Sequence, residues 1–135
     1  MLPGILPGGI TLQYSGVSVK IETEQKLEIV QRLLVAKKAD EIEVIDLRGR
    51  TLIADYFVVC SGTSNTHIKA IADGLIAEGK DEGLKKDRVE GYAQACWVLV
   101  DYGDVVVHIF AREEREYYDI ESLWKATVAK LEIRE

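Results

Sequence analysis

The segment from Cys96 to Phe110, CWVLVDYGDVVVHIF, constrains the fold more than any other part of the chain, because it reads as two apolar strands joined by a tight turn. Tyr102-Gly103-Asp104-Val105 suits a two-residue hairpin, since glycine at the first central position supplies the positive φ that a type II′ turn demands. The turn fixes a register. With Tyr102 opposite Val105, Asp101 faces Val106, Leu99 faces His108 and Trp97 faces Phe110, and side chains alternate between the two faces. One face then collects Cys96, Val98, Val100, Val105, Val107 and Ile109, which reads as core. The other carries Trp97, Leu99, Asp101, Val106, His108 and Phe110, a mixture of aromatics, carboxylate and imidazole that needs an explanation of its own.

Helices and strands surround this hairpin. From Glu24, Leu27, Val30, Leu33 and Leu34 fall on one helical face, with Thr23 as the expected N-cap. Alternation from Glu41 to Leu47 predicts a strand ended by the Arg48-Gly49-Arg50 turn, and Asp55 to Cys60 predicts a second. Ser61-Gly62-Thr63-Ser64-Asn65 leads into a helix whose Ile68, Ile71, Ala72, Leu75 and Ile76 follow helical spacing, with Ser64 as its cap; Gly79 and Gly83 end it. Arg88 to Gly91 crosses to the hairpin as a short edge strand. After Phe110 comes a charged turn from Ala111 to Glu116, then a last helix with Tyr117, Ile120, Leu123, Trp124, Val128 and Leu131 along one side. This order predicts a single α/β domain, residues 23–132, with a mixed β-sheet flanked by α-helices. Residues 1–22 read as a flexible leader, because Pro3, Pro7 and several glycines oppose regular structure. The leader has neither the basic start nor the continuous apolar run of a signal peptide, and it is no membrane span.

Composition narrows the chemistry. A net charge of -6 argues against a surface that binds nucleic acid through clustered Lys and Arg, and an acidic domain is better suited to a basic protein partner. Cys60 and Cys96 sit in apolar runs as small hydrophobes, which fits a reducing cytoplasm, and with His67 and His108 far apart no zinc-ligand spacing appears. The hydroxyl-rich turn before the second helix is a place for an anion, yet Walker and dinucleotide patterns are absent, so capping is its stronger role. Asp55, Asp101 and Asp104 suggest a metal-dependent nucleotidyl-transfer site, but Asp101 and Asp104 flank a turn instead of sharing a strand face. His108 oriented by Asp101 as a general base is out of register and lacks a nucleophile; a packed or partner-contacting histidine is the better reading.

Ala54-Asp55-Tyr56-Phe57, Ser61-Gly62-Thr63-Ser64, Glu90-Gly91, the run from Trp97 to Phe110, and Arg115-Glu116-Tyr117-Tyr118-Asp119-Ile120-Glu121-Ser122-Leu123-Trp124 together resemble the ribosomal silencing factor (RsfS, also Iojap or YbeB) family. Each piece alone is weak; the ordered set, over roughly Leu27 to Trp124, is specific. The resemblance implies a fold reminiscent of nucleotidyltransferases and a cytoplasmic, non-catalytic translation factor without a cofactor. It implies a repressor that binds the fourteenth protein of the large ribosomal subunit at the intersubunit face, blocks joining with the small subunit, and is a homodimer when free. It implies no membrane association and no sequence-specific contact with nucleic acid. The candidate partner-binding residues are Tyr56, Trp97, Asp101, His108, Arg115, Tyr118 and Glu121. Trp97 is the expected aromatic anchor, and Asp101 the expected partner of an Arg or Lys. The competing reading is that helices cover this face and make Trp97 core.

Overall fold

The computed structural model describes residues 13–14, 17–18 and 21–125. Within the expected leader, strands β1 (Gln13–Tyr14) and β2 (Val17–Ser18) pair antiparallel. The rest of that leader, and Val128 and Leu131 of the expected last helix, lie outside the described residues. The domain then runs α1 (Thr23–Ala36), β3 (Asp40–Asp46), β4 (Tyr56–Gly62), α2 (Asn65–Asp81), β5 (Arg88–Glu90), β6 (Trp97–Asp101), β7 (Val105–Ala111) and α3 (Arg112–Tyr118). Five strands form one sheet in the order β3-β4-β7-β6-β5. β4 and β7 are parallel and the other neighbours antiparallel, so the sheet is mixed, as the element order predicts.

The hairpin register is the one the turn dictates. Trp97 pairs with Phe110, Leu99 with His108 and Asp101 with Val106. Gly103 takes φ +91°, and the Tyr102 N–H donates to the Val105 carbonyl at 2.9 Å. The face expected to be core is core: Val98, Val100, Val105, Val107 and Ile109 are fully buried beneath α1 and α2, against Ile29, Leu34, Ile68 and Leu75. Burial of each such aliphatic side chain contributes about 1.5–3 kcal/mol. Cys96 differs from expectation. It sits just before β6 and is only half-buried.

Two helix boundaries differ from the sequence reading, each for a physical reason. Glu22, and not Thr23, caps α1, forming a capping box with Gln25. Thr23 is instead drawn into the helix, where its hydroxyl donates to the Asp104 carboxylate at 2.5 Å. The charged stretch expected to be a turn is helix α3, with Glu113 and Glu114 in its first turn, where the helix dipole favours negative charge. Asp119 then adopts the left-handed conformation at φ 44°, and helical structure resumes over residues 120–125. The expected continuous last helix is therefore two pieces, interrupted at Asp119.

Those two pieces define the second face. Ile120 and Trp124 pack on Ile45, Phe57, Val59, Val106 and Phe110, closing a smaller core over β3, β4 and β7. Towards β6 and β5 the cover ends, and the face opens.

Candidate functional site

The open half of the second face is built by strand alternation. β5 pairs with β6 so that Arg88 lies opposite Asp101 and Glu90 opposite Leu99. One strip therefore carries Arg88 and Glu90 from β5 and Trp97, Leu99 and Asp101 from β6. The three β6 side chains are half-buried and the two from β5 exposed. Tyr118, at the end of α3, is 50 % exposed and lies with its ring centroid 4.9 Å from that of Trp97. On its other side Trp97 stacks on Phe110 at 4.8 Å. Tyr117 (82 %) and Leu123 (62 %) extend the apolar exposure beyond Tyr118. An aromatic and aliphatic centre with charged flanks is the anatomy of a protein-docking surface.

The charges on this strip are positioned rather than free. Arg88 donates to Asp101 at 3.1 Å and to Glu90 at 2.6 Å, and the other Asp101 oxygen accepts from the Gly103 N–H at 2.7 Å. Asp101 thus secures the hairpin turn while keeping an acidic edge at the rim.

His108 is inside. It is 4 % exposed, with Nδ1 3.1 Å from the indole nitrogen of Trp97. The indole N–H can only donate, so Nδ1 accepts and Nε2 carries the imidazole proton. Nε2 has no hydrogen-bond partner, and the Phe57 ring stands edge-on 4.6 Å away. Burial pushes the His108 pKa down to about 4, against a smaller opposing pull from Asp101. The histidine is therefore a neutral group packed in the core.

Arg115 is likewise committed. It is 9 % exposed and donates to both carboxylate oxygens of Glu121 at 2.9 Å, to the Ser61 hydroxyl at 2.8 Å and to the Glu41 carbonyl at 2.8 Å. This clamp straddles Asp119 and fixes the segment 120–125 to the end of the sheet. Burial works against the guanidinium charge, and the bonds from Glu121 outweigh it and raise the pKa.

Asp55 adjoins Asp104, its N–H donating to the Asp104 carbonyl at 2.8 Å, while the Asp101 and Asp104 side chains have structural tasks. Asp104 accepts from Lys26 at 2.6 Å as well as from Thr23, and these bonds hold its pKa below the ordinary value although partial burial pushes it upward. Asp101 is engaged by Arg88 and Gly103. Among the described residues no three His, Cys, Asp or Glu side chains converge as a metal site would need. Beside the N-terminus of α2 lies a groove of about 560 Å³, lined by Thr63, Ser64, Asn65, Cys96, Arg112 and Glu113 among others. Ser64 is occupied there by capping, its hydroxyl accepting the His67 N–H at 3.0 Å as the sequence predicts.

Of the residues singled out in the sequence, Trp97, Asp101 and Tyr118 meet on the open strip. Tyr56 is 6 % exposed in the main core with the Arg48 guanidinium 5.1 Å over its ring, His108 supports Trp97 from within, and Arg115 and Glu121 are joined away from the strip, beside Ser61 and Glu41 on β4 and β3. Leu99, Arg88, Glu90 and Tyr117 complete the surface. The first three were within reach of sequence reasoning, because the alternation that places Trp97 also places Leu99, and the short edge strand carries Arg88 and Glu90.

The comparisons with known proteins agree with this architecture. The family model described as "Ribosomal silencing factor during starvation" matches residues 20–135. The chain is 40% identical over 104 residues to the ribosomal silencing factor RsfS of Halalkalibacterium halodurans, covering 77% of this chain and 89% of that protein. It is 34% identical over 101 residues to the mouse protein named "Mitochondrial assembly of ribosomal large subunit protein 1", covering 73% of this chain and 44% of that one. A crystal structure of a Chromobacterium violaceum protein, 35% identical, superposes with a TM-score of 0.75 over 77% of this chain and 87% of that one. The chain belongs to the ribosomal silencing factor family.

Proposed function

We propose that this protein represses translation by docking on the large ribosomal subunit at its intersubunit face, through the fourteenth protein of that subunit, and so blocks joining with the small subunit. The observation that carries the reading is the open strip: Trp97, Leu99 and Tyr118 present an apolar centre, while Asp101 and Glu90, paired with Arg88 between them, leave its rim with a net negative charge suited to a basic ribosomal protein. Family membership points to the ribosome, and the name of the mouse relative points to the large subunit. The commitment of Asp101 and Asp104 to hydrogen bonds within the fold supports a binding role without catalysis. The free protein is a homodimer in this reading and works in the cytoplasm without sequence-specific contact to nucleic acid. No helix among the described residues is long and apolar enough to cross a membrane.

The test is sucrose-gradient fractionation of cell extract followed by reconstitution with purified subunits. The protein co-sediments with the large subunit and lowers the fraction of joined ribosomes as it is added. Sedimentation with free protein or with the small subunit overturns the proposal.

A further inference from the structure

His108 lies beneath the docking strip, next to its aromatic centre. β6 and β7 set Leu99 opposite His108 and Trp97 opposite Phe110, so the indole and the imidazole are diagonal neighbours on one sheet face. The half-buried Trp97 ring has three ring neighbours: Phe110 stacks on it at 4.8 Å, Tyr118 lies at 4.9 Å and His108 at 6.0 Å, centroid to centroid. Its exposed part faces away from them, where the strip is open.

A histidine in this place opposes folding. Its side chain is 4 % exposed, and Nε2, which carries the proton, has no hydrogen-bond partner among the described residues. A buried donor without an acceptor is unfavourable, and a leucine of similar volume would fill the space beside Phe57 without that penalty. The one hydrogen bond that distinguishes His108 from an apolar residue is Nδ1 accepting the Trp97 indole N–H at 3.1 Å. Without His108, that N–H would turn to water in the free protein and would lose the water once a partner covered the strip.

We infer that His108 is a positioning residue for docking: it satisfies the Trp97 indole from beneath the strip, so that the partner covers an aromatic anchor whose polar atom needs no acceptor from outside. The inference rests on the docking reading. A partner side chain that carries no acceptor, aliphatic or guanidinium, is then enough to close over Trp97, which suits a basic protein surface. The bond also holds the ring in one orientation before contact, so less side-chain freedom is lost on docking.

The experiment measures binding of the full chain to purified large subunits for wild type, His108→Leu, His108→Asn, Trp97→Phe and the Trp97→Phe/His108→Leu pair. The melting temperature and the indole N–H signals in the NMR spectrum are recorded for each; Trp97→Phe identifies the Trp97 signal, since the chain's tryptophans are Trp97 and Trp124. His108→Leu moves that signal toward the position of a solvated indole, melts within a few degrees of wild type and binds about tenfold more weakly. His108→Phe, a ring without an acceptor, gives the same pattern and stands in should the leucine variant not fold. His108→Asn, which keeps an acceptor at the δ position, restores most of the affinity although it fills the site less well. In the Trp97→Phe background His108→Leu has no further effect on binding, because no indole N–H is left to satisfy. Wild-type affinity in folded His108→Leu overturns the inference, since the partner would then supply the acceptor itself. An equal loss in both backgrounds also overturns it, by assigning the effect to packing. Leu99→Asp reports on the strip separately. If it binds more weakly while His108→Leu does not, the positioning role falls and the docking surface stands; if Leu99→Asp binds like wild type, the strip is not the docking surface and the inference falls with it.

Discussion

Trp97 and His108 share one hydrogen bond, indole N–H to Nδ1 at 3.1 Å, that couples the open strip to the core beneath it. The bond selects the neutral tautomer of a histidine whose other nitrogen is buried without a partner. The unfolded chain takes up this proton near pH 6.5, whereas the folded protein resists until about 4. The folded-state pKa is depressed, so stability is full above pH 6.5 and declines as pH falls through the window down to about 4, by roughly 3 kcal/mol in total. Denaturant titrations across that window show this loss in the wild type, and His108→Leu flattens it. A variant with the same acid slope as wild type would mean that another group carries the effect.

Arg115 and Glu121 hold the helical segment 120–125 over Phe57, so removing either strips a partner from a largely buried ion pair. Arg115→Ala is expected to lower stability by about 3 kcal/mol, since Glu121, the Ser61 hydroxyl and the Glu41 carbonyl all lose their donor. Glu121→Gln keeps one acceptor and costs less. Thermal or urea unfolding measures both, and an Arg115→Ala variant as stable as wild type would contradict the clamp.

Asp104 ties the start of α1 to the hairpin turn through Thr23 and Lys26. Asp104→Ala is expected to cost about 1–3 kcal/mol by leaving those donors without their acceptor. Nucleotide with Mg²⁺ gives no thermal shift in wild type on this account. A saturable shift that Asp104→Ala abolishes would revive the nucleotidyltransferase reading.

The hairpin was legible because two local rules agree there: Gly103 sets the turn, and period-two alternation sorts every side chain from Trp97 to Phe110 onto a face. The same alternation could not say which half of the second face is covered, because that depends on where the segment after Asp119 turns. The turn rests on a left-handed aspartate and on an Arg115–Glu121 pair six residues apart, a spacing that no single helix brings together. Helix α3 was hidden for a related reason. Its residues from Arg112 to Glu116 carry no apolar periodicity, and it is anchored mainly by one buried arginine. Trp97 shows the outcome: it is neither free surface nor full core, with one side against Phe110 and the other against half-exposed Tyr118.

The most direct measurement of the central claim is subunit joining with purified ribosomal subunits, titrated with wild-type protein, Asp101→Ala and Tyr118→Ala. Both variants are expected to fold, Asp101→Ala with a loss of about 1 kcal/mol from the Gly103 turn bond. Each is expected to bind the large subunit about 1–3 kcal/mol more weakly, shifting the joining curve to roughly 5- to 150-fold higher protein concentration. Folded variants that block joining at wild-type concentrations would show that the strip of Trp97, Leu99, Asp101 and Tyr118 is not the docking surface.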